Sequence, residues 1–400
     1  MNITEQNLDT THRYGVQAVE RIATPALLIY RDIVLSNIAS TLRLLDGNPD
    51  RWRPHVKTAK LGYVMQMLTA HGVTAFKCAT SLELLTAIRA GAQDVLVAYP
   101  VMGANAIRIR EIAALHPQVA ISVLVESKSQ LDSWYGSGVG IFLDLNPGMN
   151  RTGIELDRTT EIVELSILVR EAGLELRGLH YYDGHLASEA LPERTRQAHA
   201  GYDRLMRIVD TLRAKGIPVK EVITSGTPSL PCTMTYPKFL KAGFVHRASP
   251  GTVVYCDATV VEQLPREFGY EPAALVLSRV VSRPASRVIT CDAGHKTLSV
   301  DCGVPNCVAA GISYLEPLRP SEEHLPIRVP EKHLSPELGD LLYLIPRHVC
   351  PTVNNFDWAL IISEGRILAT EQVHARGREL LLLPASEKER HEIGRPEAYR

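Results

Sequence analysis

Arg53-Pro54-His55-Val56-Lys57-Thr58-Ala59-Lys60 is the stretch on which the fold turns. It is a short run leaving a proline and ending in lysine, flanked on both sides by helical patterns. A lysine hemmed in at such a place can lose its proton and become a nucleophilic amine, which condenses with carbonyl compounds. A solvated basic strand end is the plain alternative, and only the rest of the chain separates the two.

Read as a strand, Pro54–Lys57 is the first of eight similar runs. Ala75–Thr80, Asp94–Ala98, Val119–Val125, Gly140–Leu145, Gly178–Tyr182, Glu221–Thr224 and Val245–Ser249 follow. Between them, stretches such as Ser81–Ala90, Ala104–Leu115 and Ala198–Lys215 carry apolar residues at helical spacing. Strand and helix in alternation imply parallel strands with right-handed crossovers, and eight units of about 25 residues predict a closed (β/α)₈ barrel. An open doubly wound sheet is the alternative, but its glycine-rich turn after the first strand is absent. After Gly251 proline and β-branched residues increase. Val276–Val281, Val288–Asp292, Leu341–Pro346, Trp358–Ser363 and Glu371–Ala375 read as strands of a second, mostly β domain. Leu27–Tyr30 precedes the eight runs and is free to be lent to that domain. The expected division is an N-terminal segment over 1–25, a barrel over 26–252 and a β domain over 253–400, with a charged tail from Lys388 to Arg400 that frays.

Composition removes several function classes. A net charge of −1 with scattered basic residues gives no pull toward nucleic acid or an anionic membrane. No run is long and apolar enough to span a bilayer, and the polar start Met1-Asn2-Ile3-Thr4-Glu5-Gln6 is no signal peptide. Seven cysteines, an odd number at irregular spacing, point to reduced thiols and a cytoplasmic protein.

In a (β/α)₈ barrel, reacting groups sit at the C-terminal ends of strands, and phosphate often binds after strands seven and eight. Ser225-Gly226-Thr227-Pro228-Ser229 and Ser249-Pro250-Gly251-Thr252 occupy those two places. Each offers unobstructed backbone N–H groups and hydroxyls, as a phosphate dianion requires; plain turns use the same residues. After strand five, Asp144-Leu145-Asn146-Pro147-Gly148-Met149-Asn150-Arg151-Thr152-Gly153 throws an arginine over the barrel mouth. After strand six, His180-Tyr181-Tyr182-Asp183-Gly184-His185 clusters rings suited to a flat heteroaromatic group and to proton transfer. In the β domain, Arg347-His348-Val349-Cys350-Pro351-Thr352-Val353-Asn354 reads as a strand, so that His348 and Cys350 share one side and one divalent ion. Glu322-Glu323-His324 is either a support for that ion or a solvated loop.

Together these motifs resemble the D-threonine aldolase and D-serine dehydratase family, pyridoxal 5′-phosphate (PLP) enzymes of the alanine-racemase-like fold. The matching segments are 53–58, 144–153, 178–185, 225–229, 249–252 and 348–354. The resemblance implies a PLP-binding (β/α)₈ barrel with a C-terminal β domain. Lys57 would hold PLP covalently, Arg151 would face its phenolic oxygen and Tyr182 would lie by the pyridine ring. Ser225, Gly226, Thr227, Gly251 and Thr252 would hold the phosphate. His348 and Cys350 would bind a divalent ion, with Mn, Zn, Mg and Co left open, and the protein would be a homodimer acting on a small D-amino acid. Two departures matter. The family's aldolases usually carry aspartate where Cys350 stands, whereas its dehydratases carry cysteine. The usual histidine before the second lysine is Ala59, leaving His55 and His185 as proton carriers. The preferred activity is retro-aldol cleavage of D-β-hydroxy-α-amino acids to glycine and an aldehyde. A dehydratase giving a keto acid and ammonia comes second; a racemase and a PLP-carrying homeostasis protein trail.

Overall fold

The computed structural model describes residues 13–380; the tail expected to fray lies outside them. Seven parallel strands, Ala75–Cys78, Asp94–Pro100, Ala120–Val125, Gly140–Asn146, Leu176–Tyr181, Glu221–Thr224 and Val245–Ala248, pair in chain order and curl into a barrel wall. The eighth place belongs to Trp52–Val56. Pro54 has no N–H to give, so this segment forms isolated bridges instead of a ladder. Trp52 pairs with Ala248 on one edge and His55 with Lys77 on the other, supported by Arg53 N–H to Ala248 O at 2.9 Å and Val56 N–H to Lys77 O at 2.8 Å. Helices such as Ser81–Arg89, Gly103–Leu115, Thr159–Glu171 and Leu191–Ala214 cover the outside. The last begins seven residues earlier than its apolar spacing suggests. Pro192 sits in its first turn, where proline is tolerated.

Inside the barrel the side chains form layers, as alternation along parallel strands demands. At the N-terminal end Arg53, fully buried, holds Glu221 at 2.8 Å and Asp94 at 2.6 Å. Arg177 adds a 2.7 Å pair to Asp94, and Arg247 pairs with Glu221. Above lie Leu96, Leu124, Phe142 and Ile223, a small apolar cluster of their own. Two residues beyond Phe142 comes Asp144, and a polar layer opens toward the mouth.

The second sheet is mostly antiparallel, running from Ala274–Ala285 through Val288–Cys291 and Leu325–Arg328 on one side. Ala26–Tyr30 is indeed lent to it, antiparallel to Ala274–Leu277 and parallel to Ala359–Ile362. The expected strand at Glu371–Ala375 is displaced: Arg366–Gln372 pairs with Trp358–Ser363, turning tightly at Glu364 and Gly365, both with positive φ. Among the described residues no helix is long and apolar enough to cross a membrane, and all seven cysteines are free thiols.

Candidate active site

Lys57 stands exposed at the barrel mouth, immediately after the bridging segment. Its main-chain N–H donates to His55 Nδ1 at 3.2 Å. Burial first, then the charges of Lys57 and Lys77, hold the His55 ring well below its ordinary pKa. Its neutral form therefore carries its hydrogen on Nε2. Lys60, three residues on, is buried in a left-handed turn. It is tied to Glu83 at 2.8 Å and to the carbonyl of Ala375 at 3.0 Å, so of these two lysines it is Lys57 that leaves its amine open.

The loops after Thr224 and Ala248 meet, because the Thr252 N–H donates to Thr227 Oγ1 at 3.1 Å. Ser225 adopts φ 63°, and its buried hydroxyl has no partner among the described residues. The glycines here permit close approach. A Cβ on Gly226 would lie 2.8 Å from the Tyr182 ring, and one on Gly251 would lie 2.5 Å from the His55 carbonyl oxygen. Tyr182 is flanked on another side by Arg151, whose guanidinium carbon is 5.1 Å from the ring centroid. An orphaned hydroxyl, two open glycines and a ring with a guanidinium over it fit a planar phosphorylated cofactor such as PLP. His185 lies farther out, exposed, facing Gly148 at the rim.

The metal candidates correct the sequence reading in one respect. The strand Leu341–Pro346 stops before His348, which is the N-terminal cap of a helix, Val349–Asn354, and Cys350 sits within its first turn. Pro351 explains this: a proline is at home in a helix's first turn and out of place in a paired strand. The two side chains nevertheless meet. Burial disfavours the His348 cation, yet its hydrogen bond to Cys350 and to Asp301 outweighs this and raises it to about 9. Burial likewise raises the Cys350 thiol, but His348 outweighs it and the net direction is down, toward thiolate. Buried Asp257 fixes this turn by accepting the Val349 N–H at 3.0 Å. Asp301 Oδ2 takes His348 Nδ1 at 2.6 Å, and Asp301, Cys302 and His348 bring ligand atoms within 4.8 Å of one another. Imidazole, thiol and carboxylate donors suit a divalent ion. Glu322 and Glu323 take no part; both pair with Lys296 in a solvated loop.

The two centres touch. Cys350 Sγ is 3.0 Å from Thr58 Oγ1, next to Lys57, and 3.7 Å from Thr252 Oγ1 in the phosphate loop. Sequence reasoning missed Asp301 and Cys302, which no spacing rule connects to His348. It also missed Lys77, His180 and Asp144 as a unit. The one signal was a lysine inside the otherwise apolar run Ala75–Cys78.

The chain is similar to known proteins over most of its length. Residues 29–258 match the alanine racemase N-terminal domain, and residues 273–362 match a putative serine dehydratase domain. A D-threonine aldolase of Arthrobacter is 25% identical over 89% of this chain and 93% of its own length. A D-threo-3-hydroxyaspartate dehydratase of Delftia is 23% identical over 88% of this chain and 97% of its own. The crystal structure of D-threonine aldolase from Filomicrobium marinum superposes with a TM-score of 0.81 at 26% identity, covering 91% of this chain and 98% of that one. The chain therefore belongs to the D-threonine aldolase and D-serine dehydratase family, PLP-dependent lyases with an alanine racemase-type barrel.

Proposed function

We propose that this protein is a PLP- and divalent-metal-dependent lyase that splits D-β-hydroxy-α-amino acids of the D-threonine type into glycine and an aldehyde. The observation that carries the reading is the 3.0 Å contact between Thr58 and Cys350. It sets the residue next to Lys57 against the His348–Cys350 pair, close enough for the Lys57 charge to act on the thiol. PLP supplies an electron sink at the α-carbon, and the ion a Lewis acid at the β-hydroxyl.

The chain's own residues do the rest. Lys57 anchors the cofactor. Ser225, Gly226, Thr227, Gly251 and Thr252 would hold its phosphate, Arg151 would face its phenolic oxygen and Tyr182 would flank its ring. His348 and Cys350 hold the ion, with Asp301 orienting the imidazole through Nδ1. His55 accepts the Lys57 main-chain N–H at Nδ1 and keeps its own hydrogen on Nε2 as a proton carrier, and His185 exchanges protons at the rim. The protein works as a cytoplasmic homodimer, and its division into a leading segment over 1–25, a barrel over 26–252 and a β domain over 253–400 puts the anchor and the ion on different units.

Dehydration of the same substrates is the second reading, favoured by the thiol at Cys350 and by the Delftia relative. Incubating the holoenzyme separately with D-threonine and D-serine distinguishes the two. Glycine with acetaldehyde from D-threonine supports the aldolase. Pyruvate and ammonia from D-serine, with no glycine from D-threonine, establishes the dehydratase.

A further inference from the structure

We propose that Lys77, held by His180 and Asp144, is a second acid–base residue of the reaction site, working beside Lys57 on the substrate's proton. The inference rests on the lyase reading above and adds to it a residue that none of the motifs marked.

Lys77 lies on the strand Ala75–Cys78, and only 3% of it is exposed. Its side chain crosses the barrel interior to the strand Leu176–Tyr181, where Nζ stands 3.2 Å from His180 Nε2. His180 Nδ1 is 2.7 Å from Asp144 Oδ1, and the other oxygen of Asp144 accepts the Thr152 hydroxyl at 2.7 Å. An ionised carboxylate only accepts, so the neutral imidazole carries its hydrogen on Nδ1 and offers a lone pair at Nε2. Lys77 therefore donates to His180. Carboxylate, imidazole and amine stand in a row, with the base oriented by a third group, the arrangement that activates nucleophiles and bases in unrelated enzymes.

The surroundings keep the amine uncharged near neutrality. The groups facing it are His55 and Arg53 on the bridging segment and Lys57 just after it, Asp144 and Arg151 on and after the strand Gly140–Asn146, and His180 and Tyr182 in and just after Leu176–Tyr181. No carboxylate touches Nζ among the described residues; Asp144 acts through the imidazole. Burial, then the charge of Lys57, pushes Lys77 down to about 7, Asp144 opposing. Nζ also lies 5.9 Å from the Tyr182 ring centroid, the ring over which Arg151 lies from its own side. The amine thus borders the space assigned to the cofactor. It takes the β-hydroxyl proton of the substrate as –NH₂ becoming –NH₃⁺ and gives a proton to the α-carbon of the glycine product in the same turnover, so the amine ends as it began and no further reactant is needed.

The test follows Lys77 in protein labelled with ¹³C at lysine Cε, first without and then with PLP, using Lys77→Arg for assignment. The expected midpoint is near 7, falling further in Asp144→Asn, and the Lys77 signal shifts when PLP is bound. Borohydride and peptide mass spectrometry report which lysine PLP has modified. In the holoenzyme, Lys77→Met lowers kcat by about 10²- to 10⁴-fold with KM near the wild-type value, and Lys77→Arg, which cannot release its proton, does not restore it. A midpoint near 10 overturns the inference, as does a Lys77 signal indifferent to PLP fixed on Lys57; in both cases the cofactor reading stands. PLP fixed on Lys77 makes it the anchor and overturns its role as base. No PLP on either lysine brings down the lyase reading and this inference with it.

Discussion

The two ends of the barrel treat buried charge in opposite ways. At the N-terminal end Arg53, Arg177 and Arg247 interlock with Asp94 and Glu221, each guanidinium against a carboxylate. Burial opposes both charges, yet these partners outweigh it and leave Asp94 below its ordinary pKa and Arg53 above its own. At the mouth Lys57, Lys77 and Arg151 have no ion-pair partner among the described residues, and the carboxylate of Asp144 is already committed to His180 and Thr152. Paired charges fix a structure. An excess of one sign is held against the protein's own stability and awaits a ligand of the other sign. A phosphate and an amino-acid carboxylate are such ligands.

Substitutions at the two ends break or sharpen this contrast. Lys57→Ala is expected to reduce turnover by at least about 10³-fold and to abolish borohydride-fixed PLP on that peptide, while urea unfolding of the cofactor-free protein stays within about 1 kcal/mol of wild type. Arg53→Ala should do the reverse. Removing one partner from a buried ion-pair network costs about 3–5 kcal/mol, read as a lower urea midpoint. An unchanged midpoint would show that Arg177 and Arg247 suffice to hold the end closed. Lys77 supplies a pH signature. Its folded-state pKa of about 7 lies below the ordinary 10.5, so between those values the unfolded chain holds a proton that the folded one lacks. Stability should therefore rise with pH across that window, by roughly 3–5 kcal/mol in total, and be lost as pH falls toward 7. Lys77→Met should flatten this rise, and parallel curves for the two proteins would refute it. The smallest effect is expected at the edge of the mouth. Cys350→Ala should weaken binding of Mn²⁺ or Zn²⁺ by at least about tenfold in calorimetric titration while leaving PLP fixed to Lys57. Unaltered metal affinity would move the ion to Asp301, Cys302 and His348.

Much of this was legible in the chain because parallel strands announce themselves as short apolar runs. The seven regular wall strands fall where their runs predict, and even the lending of Leu27–Tyr30 follows from its having no helix-linked place among the eight. The irregular eighth place was less visible. Pro54 disrupts the ladder, and only closure of the sheet turns Trp52 and His55 into bridges. The strand Arg366–Gln372 was misplaced because it is a mostly exposed edge, with Ile367 and Leu368 both on the surface, so it lacks the alternation that marks a half-buried strand. At the site, sequence reasoning grouped residues close in sequence and not residues close only in space. Ser225, Gly226 and Thr227 lie in one loop and read as one motif. Lys77 and His180 are 103 positions apart and become neighbours only when the sheet curls. The His348–Cys350 pair was found with the wrong backbone beneath it, because strand spacing was applied across Pro351.

The lending of Ala26–Tyr30 to the second sheet also sets an order of events during synthesis. That strand emerges from the ribosome early, yet its two partners, around residues 274–277 and 359–362, are made after the whole barrel. Between those times its apolar residues Leu27, Leu28 and Ile29, fully buried in the finished protein, have no sheet to join. Pairing at such long range is slow, and an unpaired strand edge invites aggregation while it waits. A strand made before the whole barrel is thus among the last to find its place, and it remains exposed to chaperones until then.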